Sequence, residues 1–148
     1  MKRRAIWTGV LILYTLFVFS NSMDPSDVSS QESSYVLSVV QNFLDPMGWA
    51  IPVTEHVIRK TAHFLEYSGM GGLLYFSLRS WELPRYSTLL LYCLIGFLIP
   101  FCDETIQLFA EGRSGQISDV WLDISGVIFG SLLCCFAVWA KKNLIKKG

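Results

Sequence analysis

The sequence has few charged residues, and it lacks the short motifs that mark common soluble enzymes. Only 16% of its 148 residues are charged, whereas 52% are hydrophobic. A mean hydropathy of +0.43 is too high for a soluble domain of this size. No zinc-type histidine pair, nucleophile elbow or phosphatase signature occurs. No basic stripe with interleaved aromatic residues occurs either, which excludes nucleic acid as a partner. Four cysteines in or near apolar stretches favour unpaired thiols over a disulfide framework.

Four apolar stretches are each close to the ~17–25 residues that an α-helix needs to cross a bilayer. They cover residues 5–20, 61–78, 86–109 and 120–140. The sequence therefore predicts an all-α integral membrane protein that forms a single domain over residues 1–148. Its expected architecture is a four-helix transmembrane antiparallel bundle.

Basic and acidic residues divide between the two sides of these stretches, and this division predicts an orientation. The bases on one side are Lys2, Arg3, Arg4, Arg79, Arg85, Lys141, Lys142, Lys146 and Lys147. Because Lys and Arg remain preferentially cytoplasmic, we expect a multi-pass protein of the cell membrane with both termini in the cytoplasm. An open alternative is that Lys2–Arg4, the first apolar run and Ser20–Ser22 form a cleavable signal peptide.

The longest connection, residues 21–58, is expected to be an outer loop because it contains acids but no Lys or Arg. Ser29 and Glu32 have the spacing of a capping box that starts a helix. Apolar residues follow at nearly helical spacing, at Val36, Leu37, Val39, Val40, Phe43 and Leu44. We therefore predict a short amphipathic helix that lies on the outer leaflet or covers the bundle.

Polar and ionisable residues recur toward the outer ends of three predicted spans. Arg59, His63 and Glu66 follow the spacing i, i+4, i+7, which places them on one helix face. Charged groups within a span are costly to insert, so they usually face the bundle or water and mark a functional site. The predicted ligand-binding residues are Arg59, Lys60, His63, Glu66, Asp103, Glu104, Gln107, Arg113, Asp119 and Asp123.

Some of these residues also have structural interpretations. Asp119 suits a helix N-terminus, where the helix dipole favours an acid. Arg59 and Lys60 could anchor their helix to lipid phosphates. Gly126 and Gly130 have the spacing of closely packed helix pairs, which favours a packing face over a ligand site.

Three segments resemble the signatures of the VanZ-like membrane family. They are residues 59–67 (RKTAHFLEY), residues 103–109 (DETIQLF) with Gly112-Arg113, and residues 118–126 (SDVWLDISG) with Gly130. Phe19-Ser20 is similar to the element that commonly closes the first span in this family, and Asp123 stands where members often carry Asn. The resemblance implies a small multi-pass envelope protein. It also implies a link to resistance against teicoplanin, a lipid-bearing glycopeptide antibiotic, through the founding member of the family.

Two functions from different classes fit this cluster. In the first, the outer mouth of the bundle binds an amphiphilic envelope ligand at the outer leaflet, with membrane lipid as its other partner. The ligand would be a lipid-linked wall component or a lipoglycopeptide antibiotic such as teicoplanin. Arg113 would hold its phosphate or carboxylate through two parallel hydrogen bonds.

In the second, the protein is a membrane-embedded enzyme with His63, Glu66 and Asp119 as catalytic candidates. His63 would act as a general acid or base oriented by Glu66 or Asp119. Alternatively, it would hold a divalent metal with a carboxylate such as Asp103 or Glu104. The sequence assigns no metal ligand and no cofactor. A purely structural role is the third interpretation.

Overall fold

A computed structural model describes residues 2–44, 46 and 53–145 of the chain. Within these residues the protein consists of five α-helices and contains no strand, which confirms the all-α prediction. The helices are α1 (Lys2–Ser22), α2 (Ser26–Leu44), α3 (Glu55–Trp81), α4 (Arg85–Gln107) and α5 (Ile117–Ile145). Residues 45 and 47–52 of the predicted outer loop lie outside the described part of the chain.

Three of the described helices, α1, α4 and α5, are long and apolar enough to cross a membrane, by length and composition. The second predicted span, residues 61–78, lies within α3. This helix has 27 residues, but its charged first half and its glycines leave it more polar than the other three. The four-span topology therefore remains a prediction.

Local sequence explains where α3 and α4 begin and end. The Thr54 hydroxyl accepts a hydrogen bond from the Val57 N–H (3.3 Å) and so caps the start of α3. At the other end, Glu82 has φ +54°, the left-handed conformation in which helices commonly stop. Pro84 then precedes Arg85, the first residue of α4, and its ring holds φ at −53°.

A helix does occupy the predicted outer loop, but it is not the short element that we expected. α2 has 19 residues and begins at Ser26 rather than at the predicted cap, Ser29. The helix begins earlier because the carbonyl of Pro25, the residue just before α2, accepts a hydrogen bond from the Ser29 N–H (3.2 Å). Ser29 is therefore already part of the first helical turn.

Only part of the predicted apolar stripe of α2 is turned toward the protein. Ser33 is buried, whereas Tyr35 and Phe43 are 72% and 66% exposed. Ser30 accepts a hydrogen bond from Arg59 on α3. The inward face of α2 therefore consists of serines in its first half and of the partly buried Leu37, Val40 and Leu44 further on, whereas Val39 and Phe43 are exposed. This arrangement suits surroundings made of lipid.

α3 is the central helix, since it contacts each of the other four described helices. It runs antiparallel to α1, as shown by the Arg4 Nε donating to the Ser80 carbonyl (3.0 Å) at one end and by the Asn21 amide bonding Glu66 at the other. It runs parallel to α5. Lys60 near the start of α3 lies close to Asp119 near the start of α5, and Gly71 further along α3 accepts a hydrogen bond from Ser131 further along α5.

The contact between α3 and α5 is made possible by glycine. A Cβ added at Gly71 would overlap the Val127 carbonyl, and one added at Gly130 would overlap the Ser68 carbonyl. Gly126 lies similarly close to the backbone of Phe64. We call Gly71, Gly126 and Gly130 the glycine seam. Their positions confirm that Gly126 and Gly130 form a close packing face.

The exposed and buried surfaces have the polarity of a membrane protein. Leu13, Leu89 and Phe136 are each more than 60% exposed, whereas several buried residues are polar. Ser131, for example, is buried and donates a hydrogen bond to the Gly71 carbonyl (2.7 Å) across the α3–α5 contact. Hydrogen bonds between helices of this kind are common in apolar surroundings.

Candidate functional site

Buried polar side chains gather at one end of the bundle, where α1 and α4 finish and α3 and α5 begin. We call this region the polar end; it comprises residues 21–33, 55–67 and 103–123. All ten predicted ligand-binding residues lie in it. They come from α3, α4, the α4–α5 loop and α5.

The two ends of the predicted stripe on α3, Arg59 and Glu66, are bonded to α2 and α1. Arg59 Nη2 donates to the Ser30 hydroxyl (3.3 Å), and Glu66 Oε1 accepts from the Asn21 amide (3.0 Å). The Tyr14 hydroxyl also donates to the backbone carbonyl of Glu66 (3.0 Å). Because both ends of α3's stripe are bonded to other helices, the stripe is held in a fixed position.

The residues that end α4 form a buried network. Asp103, Glu104 and Gln107 are 0%, 6% and 7% exposed. The Gln107 amide donates to Asp103 Oδ2 (3.4 Å) and to Glu104 Oε1 (3.3 Å). The second oxygen of Glu104 accepts the backbone N–H of Gln116 (2.9 Å), so this carboxylate ties the α4–α5 loop to α4.

The two acids on α5 have different environments. Asp119 is partly exposed and forms an ion pair with Lys60, with 2.6 Å between Oδ1 and Nζ. Asp123 lies one turn further into the bundle and is completely buried. Neither of its carboxylate oxygens has a hydrogen-bond partner among the described residues. Lys60 is therefore committed to Asp119, and Asp123 is left without a protein partner.

A cavity of about 600 Å³ lies between α1, α2 and α3 at the polar end. Its volume is within the range of ~300–1,000 Å³ usual for small-molecule sites. Its charged lining residues are Asp24, Glu32, Arg59, Glu66 and Arg113. Its apolar lining residues include Tyr14, Phe17, Val36 and Ile58. The cavity thus offers charges of both signs beside an apolar wall.

A smaller cavity of about 110 Å³ lies on the other side of α3, toward α5. Lys60, Gln116 and Asp119 contribute to its lining. Arg59, His63 and Arg113 line both cavities, so these three side chains stand between them.

Arg113 has no ion-pair partner within 4 Å in the described part of the chain. It lies in the α4–α5 loop after Gly112, whose φ of +71° suits glycine without steric cost. This loop packs against the start of α2, where the Ser26 N–H bonds the Glu111 carbonyl (3.0 Å). Burial lowers the pKa of Arg113, and nearby Asp24 opposes this effect. The guanidinium stays charged nonetheless, because an arginine is not deprotonated in proteins.

His63 makes no hydrogen bond to Glu66 or Asp119 in the described residues. Its Nδ1 is buried and unpartnered, and the acids that approach it are Asp103 and Asp123. The two pairings suggested by sequence spacing are therefore absent, since Glu66 is bonded to Asn21 and Asp119 to Lys60.

Sequence reasoning missed several residues of the polar end. Asn21 and Asp24 line the larger cavity from the end of α1 and the turn after it, and Ser29 and Ser33 line it from α2. Tyr67 is completely buried, and its hydroxyl has no partner among the described residues. Ser29 and Ser33 do have helical spacing, but the prediction for this segment rested on the apolar residues that follow them.

The family model VanZ/LLP1 matches residues 6–139, which cover most of the chain and the whole polar end. No match was found among curated proteins or among solved structures.

Proposed function

The chain belongs to the VanZ/LLP1 family, and from this premise we propose that it binds an amphiphilic envelope ligand in the larger cavity of its polar end. The ligand class is a lipid with an anionic, hydroxyl-bearing or amine-bearing head group. Lipid-linked wall components and lipoglycopeptides such as teicoplanin both belong to it. Capture of such an antibiotic at the membrane would give the protein a role in resistance.

The observation that carries this proposal is that two arginines in the cavity have no ion-pair partner among the described residues. Arg59 and Arg113 line the cavity, and neither forms an ion pair within 4 Å in the described residues. Arg59 Nε is buried without a hydrogen-bond partner. A partly buried guanidinium without a counter-charge is costly, and a phosphate or carboxylate can satisfy it through two parallel hydrogen bonds.

The other lining residues fit the rest of an amphiphile. Asp24 and Glu32 are acceptors for the hydroxyls or amines of a sugar or peptide head group. Phe17, Val36 and Ile58 offer apolar surface to the first part of an acyl or prenyl chain. The remainder of this acyl or prenyl chain would run along the exposed apolar face of α1, which includes Leu13.

The proposed topology places the polar end at the outer leaflet, with four spans and both termini in the cytoplasm. The basic residues at the opposite end support this orientation. Single cysteines in a cysteine-free background test it. A cysteine at Glu111 should react with a membrane-impermeant reagent added outside, and one at Glu82 should react only after permeabilisation. The reverse pattern would contradict the orientation.

The binding proposal is tested by thermal unfolding of the purified protein in detergent micelles. Polyprenyl phosphate and teicoplanin should each raise the melting temperature in a concentration-dependent way. Inorganic phosphate, neutral polyprenol and teicoplanin stripped of its acyl chain should have little effect, because each lacks half of the ligand. Equal shifts with polyprenol and polyprenyl phosphate, or no shift with any amphiphile, would overturn the proposal.

A further inference from the structure

Three side chains from three different helices converge in the interior of the polar end. His63 comes from α3, Asp103 from α4 and Asp123 from α5. Each offers one nitrogen or oxygen atom, and these atoms all lie within 4.8 Å of one another. Both aspartates are completely buried.

The atoms that these residues present are without hydrogen-bond partners. They are His63 Nδ1, Asp103 Oδ1 and both carboxylate oxygens of Asp123. The Gln107 amide bonds only the other oxygen of Asp103. Because a buried polar atom without a partner is costly, unpartnered atoms on three converging side chains point to a group that binds between them.

No Lys or Arg side chain of the described residues pairs with these two aspartates. In the described residues, neither Asp103 nor Asp123 has a Lys or Arg nitrogen within 4 Å. Lys60, which begins the same helix face as His63, is paired with Asp119 instead. Two buried carboxyl groups therefore lie side by side with no Lys or Arg beside them in the described residues.

We propose that His63, Asp103 and Asp123 bind one divalent transition-metal ion. Imidazole nitrogen and carboxylate oxygen together form a ligand set suited to Zn²⁺ and related ions, whereas Mg²⁺ and Ca²⁺ prefer oxygen alone. Zinc lies about 2.0–2.2 Å from such ligands. A single ion can therefore reach three atoms separated by less than 4.8 Å after small side-chain rotations.

The proposed site borders both cavities of the polar end through His63, which lines each of them. Three protein ligands would leave a further coordination position for water or a ligand group. The ion would also join α3, α4 and α5. Binding should therefore stabilise the folded protein, by an amount that grows with the logarithm of the ion concentration divided by its Kd.

The test uses purified, chelator-treated protein without any amphiphile, so its result does not depend on the proposed ligand. Co²⁺ titration should give the visible absorption bands of a protein-bound ion with a stoichiometry of one per chain. Zn²⁺ should displace Co²⁺ and raise the melting temperature. Zinc measured after dialysis should also approach one ion per chain.

Substitutions test which residues bind the ion. Asp123→Asn and His63→Ala should each weaken Co²⁺ binding by at least about tenfold, since even residues that only support metal ligands cost 10–100-fold. Glu111→Gln and His56→Ala are matched controls, because both alter exposed residues of the polar end. They should bind Co²⁺ as the unaltered protein does.

A substitution that introduces a new ligand keeps the test informative if the other variants fold poorly. His63→Cys with Co²⁺ should show a thiolate-to-cobalt charge-transfer band that is absent from His56→Cys. The proposal is overturned if the unaltered protein gives no Co²⁺ bands and no Zn²⁺-dependent rise in melting temperature. It is equally overturned if His63→Ala and Asp123→Asn bind Co²⁺ normally.

Discussion

Along the contact between α3 and α5, the chain packs its residues in two different ways. In the glycine seam, backbones touch, and the buried Ser131 hydroxyl is bonded to a carbonyl. At the polar end of the same helices, Asp123 and the Tyr67 hydroxyl are buried without partners among the described residues. The Ser131 hydroxyl in the seam is satisfied, whereas several buried polar atoms at the polar end are not.

This difference separates stability from function. A region selected only for stability would pair its buried polar atoms, because each unpaired one costs about 1–3 kcal/mol. Such costs are tolerated where the unpaired groups are used to bind something. We therefore expect substitutions in the seam to unfold the protein, and substitutions at the polar end to remove binding while the fold persists.

The largest effect on stability is expected from Gly130→Leu. A side chain at this position would overlap the Ser68 carbonyl, so α3 and α5 would have to separate. We expect a loss of more than about 3 kcal/mol in the free energy of unfolding, at the upper end of overpacking effects. Unfolding by detergent titration measures it.

Gly9→Ala is the matched control for this substitution, because a Cβ at Gly9 has no neighbour within 4 Å. It should be neutral, or stabilising by up to about 1 kcal/mol through helix propensity. If Gly130→Leu and Gly9→Ala gave the same stability, the glycine seam would not hold the two helices together.

A smaller effect on the free energy of unfolding is expected when either of two buried hydroxyls is removed. Ser131→Ala removes a hydroxyl bonded to the Gly71 carbonyl and should cost about 0.5–1.5 kcal/mol. Tyr67→Phe removes a hydroxyl that lies beside Asp103 but makes no hydrogen bond by geometry in the described residues, so it should cost less than Ser131→Ala. Unfolding of both variants under the same conditions gives the comparison. A larger loss from Tyr67→Phe would show that the polar end is paired like the seam.

The smallest effect is expected from Lys60→Gln. This substitution breaks the ion pair with Asp119, whose two side chains are 32% and 27% exposed. Pairs near the surface typically contribute about 0.2–1 kcal/mol, and salt screens them. The difference in unfolding free energy should therefore shrink when the ionic strength is raised. A difference of several kcal/mol that is insensitive to salt would place this pair in a buried network.

Sequence periodicity predicted the features that depend on a single helix. The alignment of Arg59, His63 and Glu66 and the spacing of Gly126 and Gly130 follow from 3.6 residues per turn. Those features could be read locally because neighbours along one helix face are fixed by geometry.

The partners of these residues could not be predicted, because they come from other helices. Nothing in the spacing around Glu66 indicates that Asn21, 45 residues earlier, donates to it. The inward-facing serines of α2 were missed for a related reason. The predicted apolar residues of α2 divide between a partly buried face with Leu37 and Val40 and an exposed face with Phe43. Because an exposed apolar face suits lipid, spacing alone did not show which of these residues turn inward.

The opposite end of the bundle provides a comparison for the binding proposal. A mainly apolar groove of about 700 Å³ there is lined by Arg79 and Arg85. Arg79 is already bonded to the Tyr75 hydroxyl (2.8 Å), and no Asp or Glu lines the groove. Arg85 is therefore a suitable control position for substitutions of Arg113.

The most direct measurement is the affinity of purified protein for polyprenyl phosphate after Arg113→Lys, with Arg85→Lys as control. We predict that Arg113→Lys keeps its melting temperature without ligand but binds about tenfold more weakly, since an ammonium cannot replace a two-bond guanidinium contact. Arg85→Lys should bind normally. If Arg113→Lys bound normally, and Arg113→Ala lost only stability, Arg113 would be a structural residue and the anion site would be wrong.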